Sequence, residues 1–160
     1  MALCTILVAM FMSFDIGPTA GALLPVQDEG GPWRTSFVLG VKARYGMGFG
    51  DLETELSFSQ LGIDPDSSRG FEYSMVPFTL GISGHVAGMR AGLGAAVYTI
   101  EARLEIDDGL AAVWEGSYPG MYAAVGRDFP LISGTADLTA RFHIIDFDAL
   151  WIGLTGSILF

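Results

Sequence analysis

Two histidines, one cysteine and a handful of charged side chains carry whatever chemistry this 160-residue chain can do. His85 and His143 are each able to act as a base, but a nucleophilic triad needs a hydroxyl and an acid held around the imidazole. His143 is followed by Ile144 and Ile145, and His85 by Val86 and Ala87, so neither brings a serine with it. Cys4 stands alone, which excludes a disulfide, a zinc cluster or a CxxC pair. Asp64, Asp66, Asp107, Asp108, Asp146 and Asp148, with Asp28 and Glu29, offer the oxygen ligands that hard cations favour. The Asp64-Pro65-Asp66 stretch lacks EF-hand spacing, and a solvated acidic rim is the simpler reading. Lys42, Arg44, Glu53, Glu55, Arg90, Asp137 and Arg141 remain. Their signs and alternate spacing suit a network of ion pairs, acting as a plug or as a gated ion path. No cofactor and no metal centre is expected.

Composition limits what can position these groups. At this length a single domain is expected. Charged residues make up 16% of the chain, against about 25% in ordinary soluble domains, and mean hydropathy is positive. Yet no apolar run reaches the roughly 18 residues of a membrane-spanning helix; the longest, 6–14, is broken by Asp15. Lysine occurs once, at Lys42, which argues against an ordinary soluble exterior. The net charge of −10 argues against nucleic acid, whose binding rests on phosphate neutralisation.

The apolar residues instead alternate with small or polar ones, the signature of strands with one greasy face. The pattern predicts eight strands, at 13–23, 34–46, 51–61, 71–84, from 88 onward, 113–126, 131–145 and 149–160. Short connections fall at 46–50, 85–87 and 127–131 at one end, and those at the other end fall at 24–33, 62–70, about 100–115 and 146–148, the last of them very short. Phe37, Leu80 and Ile152 typify the apolar face, while the sixth strand can be read either way round. The parity of the fifth puts Glu101, Arg103 and Glu105 on the apolar side, which requires that they project past a membrane or follow a bulge.

Alternation alone does not say which face is inside. The polar face decides it, because its Gly, Ser, Thr and Ala suit a crowded lumen better than a hydrated surface. Pairing across the 46–50 turn sets Arg44 opposite Glu53 and Lys42 opposite Glu55, as enclosed charges require. On that face Asp15, Glu53, Glu55 and Asp137 balance Lys42, Arg44, Arg90 and Arg141. Backbone in lipid must pair internally, so the sheet must close. The expected fold is all-β, an eight-stranded antiparallel up-and-down transmembrane β-barrel over 13–160. Residues 1–12, MALCTILVAMFM, read as a signal-peptide remnant that lacks the basic n-region. Cleavage after Ala22 would remove a strand and leave seven, so the first strand is kept.

Four stretches carry a family resemblance: FDIGPTAG at 14–21, MRAGLGAAVY at 89–98, GMYAAVGRDFPL at 120–131 and the terminal IGLTGSILF. Over 13–160 the chain resembles the small outer-membrane barrels of the OmpA, OmpX and OmpW type. It departs from them in its missing n-region, in Pro18 and Pro77 within strands, and in a very short last outer loop. The resemblance implies a monomer in the outer membrane of a Gram-negative bacterium, touching membrane lipid and lipopolysaccharide. It implies that Phe160, Ile158 and Leu154 form the signal read by the barrel-assembly machinery. It also implies a non-enzymatic structural or surface role for an unknown partner. Apart from the resemblance, the 100–115 hairpin, with Glu101, Arg103, Glu105 and Trp114, reads first as an ordinary loop and second as an edge that projects past the bilayer and adds a partner strand. Three alternatives stand beside this: a soluble lipocalin-like barrel holding an apolar ligand, a minor pore, and a lipid-modifying barrel enzyme. The last would be similar to the lipid A deacylases, whose serine lies two residues after the histidine, a spacing absent here.

Overall fold

Alternating large apolar and small or polar side chains produce eight long strands among the described residues. They are β1 (Phe14–Val26), β2 (Ser36–Gly46), β3 (Asp51–Ile63), β4 (Phe71–Val86), β5 (Met89–Ile106), β6 (Gly109–Leu131), β7 (Gly134–Ile145) and β8 (Ala149–Leu159). The computed structural model describes residues 13–26, 33–63, 71–106, 109–146 and 148–160. The signal remnant at 1–12, Cys4, Asp28, Glu29, Asp64, Asp66, Asp107 and Asp108 lie outside the described residues. A two-residue stretch, Trp33–Arg34, pairs with the far end of β3.

Each strand pairs antiparallel with the next, and β8 returns to pair with β1, so the sheet closes on itself. Closure leaves no raw sheet edge along the paired stretch, as a backbone surrounded by lipid demands. The seam runs from Thr19 opposite Ser157 to Val26 opposite Leu150. It continues through Ile16 and Phe160, which exchange two main-chain hydrogen bonds of 3.2 Å. Phe37, Leu80, Leu154 and Ile158 face outward and are exposed; Lys42, Arg44, Glu53 and Asp137 face inward and are buried. The register across the first turn is the expected one, Lys42 opposite Glu55 and Arg44 opposite Glu53. One end of the barrel carries the short turns 47–50, 87–88 and 132–133 together with Ser13 and Phe160. At the second of these, Ala87 and Gly88 both have positive φ, 52° and 79°, as the commonest two-residue hairpin turn requires.

Two expectations change and two open points are resolved. The third short turn lies at 132–133 rather than 127–131, because Asp128 and Pro130 continue the β6–β7 ladder opposite Asp137 and Thr135. An inward Asp128 gains ionic partners there that a turn would deny it. Residues 100–106 and 109–115 are strands, not a loop: the β5–β6 ladder runs on with Glu101 opposite Glu115 and Arg103 opposite Val113. The bulge in this pair falls at Leu104/Glu105, beyond Glu101 and Arg103, so projection rather than a register shift accounts for their outward charges. The open facing of β6 resolves with Tyr118, Tyr122, Gly126 and Asp128 toward the lumen. Pro18 faces outward, whereas Pro77 faces inward. The β3–β4 pairing passes from Leu56–Phe78 to Ser59–Met75 with the positions between them unpaired, as expected where a ladder donor is missing.

Candidate functional site: a layered lumen

Three layers fill the barrel. The first, at the short-turn end, is ionic. Asp137 sits at its centre with no side-chain exposure and accepts from Lys42 Nζ at 3.0 Å and Arg44 Nη2 at 2.6 Å. Arg90 Nη2 also reaches Asp137. The strand register puts Asp128 directly opposite Asp137, and like charges so placed repel. Two guanidinium groups relieve this by bridging both carboxylates. Arg44 Nη1 donates to Asp128 Oδ2 at 3.0 Å, and Arg90 Nη1 to Asp128 Oδ1 at 2.5 Å. Glu53 completes the layer, 3.1 Å from Lys42 Nζ and 3.0 Å from Arg90 Nε. Thr139 accepts from Arg90 at 2.8 Å and donates to Asp137 at 2.6 Å. His85 is half exposed and meets Asp128 through Nε2 at 3.1 Å.

The middle layer joins Arg141 Nη1 to Glu55 Oε2 at 2.7 Å, with the guanidinium 5.4 Å from the Tyr122 ring centroid. Tyr98 OH and His143 Nδ1 share a 2.8 Å hydrogen bond. Glycine makes room for these rings: a Cβ at Gly94 would lie 2.7 Å from Tyr122 Cε1, and one at Gly120 2.6 Å from Tyr98 Cε2. A cavity of about 10 Å³ remains between Glu55, Thr79, Arg141, His143 and Thr155, room for roughly one water molecule. Arg141 Nε and Thr155 Oγ1 are buried there without a hydrogen-bond partner among the described residues.

The third layer, toward the opposite end, is apolar. Leu23, Val38, Leu61, Met75, Ile145 and Trp151 form one buried cluster with Tyr98. Above it, on the outer face of the projecting strands, Arg103 Nε donates to Glu101 at 2.6 Å. That bond holds the Arg103 pKa above its ordinary value.

All seven charged residues expected in the lumen are buried there; Arg44 keeps its facing Glu53 at 3.7 Å, but the other expected pair is exchanged. Lys42 turns to Asp137 and Glu53 rather than to the facing Glu55, which Arg141 takes across the barrel. In so narrow a lumen, partners across the barrel are as near as partners on the next strand. Asp15 shares the inward face, yet Asp128 is the fourth carboxylate of the network, and its even-numbered parity with Tyr122 and Gly126 was the available signal. Leu154, Ile158 and Phe160 are exposed on the outer face of the last strand. Among the described residues no cluster of three His, Cys, Asp or Glu groups could hold a metal ion.

No protein-family profile matches the chain, and no curated protein matches it. Solved structures do. Neisserial surface protein A (NspA) is similar at a TM-score of 0.61 and 11% identity, over 92% of this chain and 97% of that one. The outer membrane protein OprG from Pseudomonas aeruginosa gives 0.60 and 13%, over 92% and 95%. Ail, the attachment invasion locus protein of Yersinia pestis, crystallised with the heparin analogue sucrose octasulfate, gives 0.51 and 13%, over 93% and 97%. At these identities the likeness is one of fold: the chain has the closed eight-stranded barrel of small outer-membrane proteins.

Proposed function

We propose that this chain is an integral, non-catalytic barrel of the bacterial outer membrane, plugged by its ionic layer and offering its projecting hairpin to a surface partner. The observation that carries this reading is the division of faces. Phe37 is 83% exposed while Lys42 on the same strand is 0% exposed, the reverse of a barrel dissolved in water. A strand of about 9–11 residues crosses a bilayer; β5 has 18 residues and β6 has 23, so both outrun the membrane. The short turns then lie on the periplasmic side. Lipid and lipopolysaccharide surround a monomer, and Leu154, Ile158 and Phe160 serve the assembly machinery as its outward-facing signal.

The surface role rests on an open edge. The β6 strand pairs with β5 as far as Gly109 but with β7 only as far as Gly120. The Pro119 carbonyl accepts from the Asp146 N–H at 2.8 Å, so odd-numbered β6 residues turn their main-chain groups toward the β7 side. Val113, Glu115 and Ser117 therefore present donors and acceptors with no strand beside them among the described residues. Such an edge takes an extended segment by strand addition.

The test is migration of detergent-refolded protein on a gel with and without boiling. A heat-modifiable shift is expected; a chain that stays soluble without detergent and shows no shift favours the soluble lipocalin-like alternative. Planar-bilayer recordings should show no steady conductance, and steady conductance lost in Glu55→Ala would favour the ion path instead. Deleting 103–112 should abolish surface binding.

A further inference from the structure

The outer wall at the short-turn end breaks its own pattern at one residue. Among the described residues, the charged side chains facing outward at the opposite end are mostly acidic: Glu72, Glu101 and Glu115 against Arg103. Toward the short turns, among the described residues, Arg127 is the one exposed charged side chain on an otherwise largely apolar outer wall. It is the ladder partner of Leu138, an exposed apolar group. A cation on the lipid face costs about 2–4 kcal/mol at the midplane and close to nothing at the interface. Its long stem lets it reach toward that interface. The guanidinium does lean toward the turn, 5.6 Å from the centroid of the Phe129 ring.

Beside it runs a groove of about 370 Å³. The floor is Gly50, Gly84 and Ala91, and the walls are Phe49, Ile82 and Leu93. Ala91 is the ladder partner of Val125, two residues from Arg127 on the same face. The floor is bare for two different reasons. A Cβ at Gly50 would lie 2.6 Å from the Ser83 carbonyl oxygen, whereas one at Gly84 would meet nothing within 4 Å.

We infer that this wall holds one phospholipid of the periplasmic leaflet, its phosphate on Arg127 and an acyl chain in the Gly50–Gly84–Ala91 groove. The inference rests on the outer-membrane reading above. Charge selects the occupant: an acidic protein that places a cation on this apolar wall offers a seat for an anionic phosphate diester. The groove excludes free phosphate as the intended ligand, because its apolar walls contribute nothing to a bare anion. The groove runs from the 47–50 turn to Ile82 and Leu93 on the outward wall, so it spans the level at which a headgroup gives way to acyl chain.

Native mass spectrometry of the refolded barrel in micelles doped with phosphatidylglycerol tests this. One retained lipid per barrel is expected. Arg127→Gln should lower its retention about fivefold, the attraction of one basic side chain near an anionic surface. Gly84→Phe should lower it comparably by filling the groove, and the open space at Gly84 keeps this variant foldable. Arg103→Gln, at the other end, should change nothing. Excess inorganic phosphate should not displace the lipid. Folded barrels that retain lipid equally in both variants, or release it to free phosphate, overturn the site and leave the outer-membrane reading intact. A wild-type chain that gives no heat-modifiable barrel overturns both.

Discussion

The ionic and apolar layers of the lumen occupy the same tube and are held in opposite ways. In the ionic layer, position is everything: Asp137 and Glu53 each meet Lys42, Arg44 and Arg90, and removing one partner strands the others in a place water reaches poorly. In the apolar layer Leu23, Val38, Met75 and Ile145 need only fill volume. The difference teaches that one closed sheet can set direction-dependent contacts at one end and shape-dependent contacts at the other. Inward positions from eight strands converge, and the side-chain types change along their length.

The comparison breaks first at Asp137. Asp137→Ala leaves three cations to Glu53 and Asp128, and should destabilise the barrel by about 3–5 kcal/mol, the cost of an uncompensated buried charge. Urea unfolding in micelles followed by tryptophan fluorescence measures it, and wild-type stability in that variant would refute the claim that partners in this layer are indispensable. Trp151→Ala should cost about 3 kcal/mol through its cavity, with the same loss at low and high salt. The boundary between the layers is sharpened by exchanging Glu55 and Arg141 for apolar groups. Glu55→Leu alone should cost about 3 kcal/mol, while Glu55→Leu with Arg141→Met should return to within about 1 kcal/mol of wild type. A double variant no better than the single one would mean that the middle layer depends on more than its ion pair. The smallest effect belongs outside both layers: Ile132→Ser, at a turn tip where Ile132 is fully exposed, should shift stability by no more than about 0.5 kcal/mol.

Period-two alternation makes the barrel and its inside-out polarity legible in the sequence alone. It placed Lys42, Arg44, Glu53 and Glu55 in their register because a tight turn leaves few pairings for the strands it joins. What it hid has physical causes. The Arg127–Pro130 stretch has the composition of a turn, so Asp128 was lost to a loop although its parity pointed inward. The apolar third layer escaped because its strand segments carry apolar groups on both faces, as in Leu23-Leu24 and Ile144-Ile145, and alternation is silent there. The exchange of partners between Lys42 and Arg141 depends on the diameter of the tube, which neighbouring strands do not encode. Glu101 and Arg103 were readable as charges on the wrong face, and strand length supplied the reason.

The seam between the first and last strands sets a schedule for making the molecule. The Ser157 hydroxyl donates to Thr19 across 138 positions of chain at 3.0 Å. Until the final strand has been synthesised, the sheet is an open curl with two sticky margins, each inviting a neighbouring chain. Contacts of such long sequence separation form slowly, so a cell making this protein has to keep the unfinished curl apart from its copies until its two ends meet.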